Sequence, residues 1–244
     1  MGRGGVGPGP GPGPGGRRDP RARASLSMEA VVTAAVALLD EAGEGALTFR
    51  ALAVRLGGGV GSIYWYVSSK DELLDRAADH VVGEMLGRAT ASPATEDPIA
   101  DLRALAVAFF EAIVRRPWIS AYYLRDTGVQ PNALELYERM GQQVLRLGLP
   151  PKETFHAVSA VVGFVIGIAA DLGQQMPREV REGEVDPAVY LEREVERWRG
   201  TDPEQYPFIH YVVDVVAVHD DTEQFLAGLD LLLEGLRRKA DGTS

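Results

Sequence analysis

The stretch LTFRALAVRLGGGVGSIYWYVSSKDELLD, Leu47 to Asp75, decides the architecture of this protein. Thr48 is a good N-cap, and Leu52, Ala53 and Leu56 share one face of the helix it starts. The glycines Gly57 to Gly59 stop that helix. A short segment from Val60 to about Tyr66 follows. Ser69 and Glu72 then have capping-box spacing, which predicts a long helix from Lys70 to about Leu86. A helix of about eight residues, a glycine turn and a short second helix make a helix-turn-helix.

In that motif the second helix lies in the major groove of DNA, with its early residues facing base edges. Such a helix needs small residues where it comes close and polar tips where it reaches. Gly61 and Ser62 supply the first, and the hydroxyls of Tyr64 and Tyr66 the second. Ile63 and Trp65 do not share a clean face, so at least one large apolar group is expected outside. Lys70, in the first turn of the next helix, runs against the helix dipole. It makes sense beside a phosphate that the free N–H groups of the helix start also hold.

Outward from this stretch the rhythm stays helical. Ser27 caps a helix to about Ala42, with Leu26 and Val31 placed as a hydrophobic staple. Beyond Asp75 the spacing predicts helices over 99–115, 118–125, 131–147, 152–175, 188–199, 204–218 and 222–239. No stretch alternates with period two, so an all-α fold is expected. It divides into a Gly/Pro/Arg-rich extension (1–24), a three-helix head (25–70), an effector-binding and dimerisation body (71–239) and a tail (240–244). GPGPGPGPG, Gly7 to Gly15, has nothing apolar to bury and reads as disordered. Arg17, Arg18, Arg21 and Arg23 beside it form either an arm touching phosphates or part of an extension without a role.

The net charge of -10 argues against a polyanionic partner, but its distribution does not. Residues 1–70 carry eight Lys/Arg against five Asp/Glu, and the remainder carries 17 against 30. That asymmetry fits a first part that alone meets nucleic acid, or chance variation in surface charge. The absence of cysteine excludes disulfides, a thiol nucleophile and cysteine metal ligands. The start lacks the apolar core of a secretory signal. The apolar run Ala157–Ala170 is shorter than the roughly 20 residues of a membrane span and suits a buried helix. A cytoplasmic protein with no membrane partner is expected. His80, His156, His210 and His219 make no ligand spacing, and neither GxSxG nor a phosphate loop is present. No enzyme, cofactor or metal is expected.

Leu26–Gly43 and Leu47–Asp75 together resemble the DNA-binding domain of the TetR family of bacterial regulators. Caps, glycine turn, tyrosine and lysine fall at the family's spacing. A weaker likeness links AVSAVVGF (Ala157–Phe164) and FLAGLDLLLEGL (Phe225–Leu236) to its dimerisation helices. The resemblance implies an all-helical homodimer whose partners are double-stranded operator DNA, a second copy and a small-molecule effector. It implies a repressor on a palindromic operator, released by a small apolar or amphipathic effector. An activator, or a regulator with a co-repressor ligand, is the alternative within the family. A helical enzyme or a scaffold without DNA binding is the alternative outside it.

By the same resemblance Arg50 contacts bases or phosphates, and Gly61, Ser62, Tyr64 and Tyr66 belong to the recognition helix. Thr48 and Lys70 match phosphate contacts, and Trp65 matches a position mostly packed against the head. Gly58 and Gly59 depart from the family's apolar and capping residues, which implies a looser turn. The reading helix has no Asn, Gln or Arg for bidentate base pairing. Specificity is then expected from tyrosine contacts, thymine methyls and Arg50.

In the body, Leu105, Phe109, Phe110, Trp118, Tyr122, Tyr123, Tyr137 and Met140 are either ordinary core or the lining of an apolar pocket. Set against the tetracycline-binding members, Phe109 keeps a pocket aromatic. Leu86, Leu105, Tyr123 and Met140 replace polar positions, and Tyr123 stands where the magnesium-holding histidine would be. A larger, more apolar compound than a metal–tetracycline complex is implied, held by Leu86, Leu105, Phe109, Trp118, Tyr123, Met140 and Phe164. Gly163 and Gly167 allow close helix approach, and Phe225, Leu229, Leu232, Leu233 and Leu236 form a stripe at helical spacing. Across a two-fold axis these residues are expected to make a four-helix dimer interface.

Overall fold

The computed structural model describes Met1 and residues 26–89, 94–119, 130–172, 177–181 and 183–242, and among these every regular element is helical. The helices are α1 (Met28–Ala42), α2 (Phe49–Arg55), α3 (Val60–Ile63), α4 (Lys70–Ala89), α5 (Pro98–Arg115), α6 (Pro131–Leu145), α7 (Pro151–Leu172), α8 (Arg178–Arg181), α9 (Pro187–Arg199), α10 (Pro207–Val216) and α11 (Asp221–Asp241). A 3-10 turn, Glu44–Ala46, joins α1 to α2. The predicted helix over 118–125 falls mostly outside the described residues, as do 173–176 at the predicted end of α7 and the extension 2–24.

Local chemistry sets the helix ends. The Ser27 and Thr48 hydroxyls accept from the N–H groups of Ala30 and Ala51 at 3.1 and 3.0 Å. Asp97 caps α5 through Ile99 and Ala100, with Pro98 at the first helical position. Asp186 and Asp220 cap α9 and α11. The capping box of α4 is shifted from its predicted form. Ser69 Oγ accepts from Glu72 N at 3.0 Å, but the Glu72 carboxylate reaches past Ser69 to Ser68, accepting from its N–H and hydroxyl at 2.7 Å each. α11 runs to Asp241, past the predicted end at Lys239, and α3 is shorter than predicted.

The head packs Val31, Ala35 and Leu39 of α1 against Leu52, Ile63, Val67 and Leu73, all fully or almost fully buried. α4 then leaves the head and enters the body, where its Val81, Val82, Met85 and Leu86 meet α5 and α6. In the body α5 lies against α7 and α11. The Phe110 and Phe225 rings stack there with centroids 3.7 Å apart, and Phe164 stacks on Phe225 at 5.7 Å. Ion pairs frame the joints: Arg103–Asp230 between α5 and α11, and Arg237–Asp97 at the far end of the same pair.

α7 departs from its expected burial. It is long and apolar enough to cross a membrane, yet only 22% of its most apolar window is buried within the chain. Gly163 and Gly167 lie exposed on it. The hairpin of α9 and α10 also shows apolar groups to water, among them Phe208, Tyr211, Val215 and Val218.

Candidate nucleic-acid interface and effector body

The turn between α2 and α3 is tighter than the run of three glycines predicts. Gly57 takes φ 67°, a left-handed conformation that glycine adopts without strain. Gly57 N then donates to Val54 O at 3.2 Å and Gly58 N to Ala53 O at 2.9 Å, closing a Schellman motif. Gly59 is the N-cap of α3 in extended conformation, and its carbonyl accepts from Ser62 N at 3.0 Å and from Ser62 Oγ at 2.5 Å. The expectation of a looser turn is corrected accordingly, since the backbone groups that extra glycine frees are bonded again.

α3 turns Ile63 and, one turn on, Val67 into the core. Val60, Gly61, Tyr64 and Trp65 point outward on the other side, with Trp65 89% and Tyr64 58% exposed. The Tyr64 ring stands edge-on against Phe49 of α2, centroids 4.8 Å apart, so its direction is fixed while its surface stays open. Arg50 is exposed on α2, and Thr48 is exposed at its cap. A Cβ at Gly61 would meet nothing within 4 Å, so this part of the face is open.

Three residues of the head stand elsewhere than the resemblance suggests, in the protomer without DNA. Trp65, matched by the resemblance to a position mostly packed against the head, is its most exposed aromatic and the large apolar group expected outside, because Ile63 and Val67 already occupy the two inward positions of this turn. Tyr66, read as a recognition contact, is half-buried and donates its hydroxyl to the carbonyl of Leu26, fastening the chain ahead of α1. Lys70, read as a phosphate contact, lays its Nζ 2.8 Å from the carbonyl of Glu44, with the Glu44 carboxylate at 3.8 Å. That cation completes the 3-10 turn in this state of the protein.

A bidentate pair between Arg55 and Glu41, at 2.7 and 2.5 Å, joins α2 to α1, and the guanidinium holds the Glu41 carboxyl below the usual carboxylate range. Head and body meet at Asp40, and the connecting helix α4 is tied to the body through Asp79. Asp40 of α1 accepts from Trp118 Nε1 at 2.8 Å and from Arg116 Nε at 3.0 Å, and Arg116 also reaches Glu84 of α4 at 3.5 Å. Asp79 of α4 is buried and accepts from Asn132 N, Asn132 Nδ2 and Ala133 N at 2.9, 2.8 and 3.0 Å, capping α6 from outside its own chain segment.

The predicted effector residues divide. Leu86 of α4, Phe109 of α5 and Met140 of α6 are all buried in one continuous core, on three helices that pack against one another, and Leu105 packs at its edge. Tyr122 and Tyr123 lie outside the described residues. Trp118 belongs instead to the head–body joint through Asp40, and Phe164 lies across α11, where a Cβ on Gly228 would come within 2.5 Å of its ring. A cavity of about 770 Å³ sits elsewhere, between α9, α10 and the start of α11, lined by Trp198, Phe208, Val212, Val215 and His219 among others.

The dimer set also divides. Phe225, Leu229 and Leu233 face the protomer's own core, because their side of α11 is filled by α5 and α7. The stripe is real, but it is the inward one. Leu232 and Leu236 border a groove of about 230 Å³ between α7 and α11, with His156, Ala160 and Gly235. Gly163 and Gly167 continue this line along α7 at helical spacing, and among the described residues nothing lies within 4 Å of a Cβ on either.

Residues 31–77 match the family model described as bacterial regulatory proteins, tetR family, and residues 92–240 match that of the tetracyclin repressor-like C-terminal domain. An HTH-type transcriptional regulator of Saccharopolyspora erythraea is 33% identical over 150 residues, which span 62% of this chain and 62% of that protein. The HTH-type transcriptional repressor DrrR1 of Streptomyces coeruleorubidus is 29% identical over 91% of this chain and 81% of its own length. A solved transcriptional regulator, a TetR from Streptomyces coelicolor, is 38% identical and superposes with a TM-score of 0.73 over 87% of this chain and 98% of that one.

Proposed function

From the premise that this chain belongs to the TetR family of bacterial transcriptional regulators, with a DNA-binding head and a ligand-binding C-terminal domain, we propose a ligand-responsive repressor. It binds a palindromic operator as a homodimer in the cytoplasm and lets go when a small apolar or amphipathic molecule enters the body. The observation that carries the reading is the outward face of α3, where Trp65 stands in water and Tyr64, braced edge-on against Phe49, still shows more than half of its surface. Arg50 and Thr48 flank that face and supply a guanidinium and a hydroxyl for phosphate or base edges. Lys70 leaves the Glu44 carbonyl, and the Glu44 carboxylate 3.8 Å away, for a phosphate when DNA is present. The repressor likeness at 29% identity supports the sign of regulation.

Dimerisation is proposed through the groove between α7 and α11. Its small residues Ala160, Gly163, Gly167 and Gly235, with Leu232, give a second copy close access. An apolar helix left this open needs covering, and an isologous contact covers α7 twice at once. The effector is proposed to open the core at Leu86, Phe109 and Met140, behind α4. There it would tilt the helix that joins the body to the reading head. Only a molecule that prefers the tilted state shifts the balance, whatever its affinity.

The test is selection of bound duplexes from a random pool by the full chain, followed by titration at several salt concentrations. A palindromic site, with affinity falling steeply as salt rises, is the expected result. A chain that enriches no duplex sinks the proposal.

A further inference from the structure

The outward face of α3 has a chemical character that its role as a reading helix does not require. Val60 is the first residue of the helix and 37% exposed, Gly61 beside it is open, and Tyr64 and Trp65 lie one turn on. Ile63 and Val67 face the core. The side chains of α3 and of Tyr64 and Trp65 therefore offer no amide, no carboxylate and no guanidinium; the Arg50 guanidinium stands on α2. Ser62, the one polar side chain of α3, donates its hydroxyl to Gly59 O at 2.5 Å.

In the major groove, guanine is distinguished by paired acceptors that suit Arg or Lys. Adenine shows an acceptor and donor that suit Asn or Gln, and thymine shows its 5-methyl group. Without bidentate donors of its own, α3 has little means of selecting guanine or adenine directly, and any such selection falls to Arg50 of α2. The α3 face has ample apolar surface for a methyl group. The early residues of a reading helix are the ones that meet base edges, and here the first of them is valine. Gly61, next to it, carries no side chain to hold the backbone away from the groove.

We propose that α3 selects thymine through its 5-methyl group and that Val60 is the specificity-determining residue. Each operator half-site then carries at least one A·T pair whose thymine methyl packs on Val60. This rests on the operator-binding reading above and names the base that reading leaves open. Burying one methyl group corresponds to about fourfold in affinity, from ~0.8 kcal/mol per buried carbon unit.

The experiment uses the full chain and the duplex it selects. Each thymine of a half-site is replaced singly by deoxyuridine, which keeps the pairing and the O4 acceptor and removes only the methyl. At one position or more, binding should weaken about fourfold per half-site. Val60→Ala should weaken binding to the thymine duplex by a similar factor, and at that position it should no longer tell thymine from uracil. Val60 lies outside the buried core, so this variant should keep the parent's melting temperature. Indifference to uracil at every thymine would overturn the methyl readout while leaving operator binding intact. Unchanged discrimination by Val60→Ala would remove the role of that residue. A chain that selects no duplex would overturn operator binding and the methyl readout together.

Discussion

Asp79 on α4 and Asn132 in the first turn of α6 are joined by two hydrogen bonds, to the backbone N–H at 2.9 Å and the side-chain amide at 2.8 Å. One turn along α4, Gly83 leaves room for that same asparagine: a Cβ there would sit 2.9 to 3.0 Å from its amide atoms. The helix that carries the reading head is thus latched to the body by a carboxylate and a missing side chain. Ala is about 1 kcal/mol better than Gly in a helix interior. Gly83→Ala should nonetheless destabilise the protein, by about 1–2 kcal/mol, because it displaces Asn132 from the buried Asp79. In an Asn132→Ala background the same change should become neutral or stabilising. Urea unfolding of the four proteins in this cycle gives the coupling directly, and additive effects would disprove the latch.

The same carboxylate can be removed. Asp79→Ala should cost about 2–3 kcal/mol, since it strips three N–H groups at the start of α6 of their acceptor. Asp79→Asn keeps an acceptor oxygen and should cost less. Equal losses in thermal unfolding would show that the charge, and not the hydrogen bonds, carries the effect.

Glu72 sets a pH response. Its carboxyl is lowered to about 2, chiefly by the Ser68 backbone N–H and hydroxyl and then by Arg76. A depressed acid stabilises the fold above its unfolded value of 4.5 and loses that contribution as pH falls toward 2. Glu72→Gln should lower stability by about 1 kcal/mol at pH 7, a modest figure because the site is partly solvated. The gap to the parent should close on titration from pH 5 to about 2. A constant gap would contradict this account.

The two tyrosines of the reading segment should separate cleanly. Tyr66→Phe removes the bond to the Leu26 carbonyl and should lower stability by about 1 kcal/mol. Its effect on the choice of operator should be small. Tyr64→Ala, at an exposed site, should leave melting nearly unchanged and weaken operator binding. Reversed outcomes would exchange the roles of these residues.

Gly167→Arg tests the second copy. Among the described residues nothing lies within 4 Å of a Cβ there, so the side chain has room on this face of a single chain. In a dimer packed through α7 it meets the partner. Sedimentation should show the parent as a dimer and the variant shifted toward monomer. A variant dimer as tight as the parent would place the interface elsewhere.

Much of the head was legible in the sequence because its signals are local. Ser27 and Thr48 bond to groups three residues away, and the glycine turn and the start of α4 follow from neighbouring residues as well. The directions of Trp65, Tyr66 and Lys70 were not legible. Their partners, or lack of them, are set by Ile63 and Val67 filling the core and by Leu26 and Glu44, which lie 40 and 26 residues away in the chain. α11 shows the same division. Helical spacing gave the stripe of Phe225, Leu229, Leu233 and Leu236, but a stripe carries no label for what covers it. α5 and α7 cover it, so the stripe is core, and the small-residue groove beside it stays open, where a second copy is proposed to pack. The sequence by itself determined where helices start and stop and which side chains must leave water, since both depend on contacts within a turn or two and on solvation. Only the tertiary structure decided which surface each apolar side chain leaves water for, because that choice is made between segments far apart in the chain that compete for the same space.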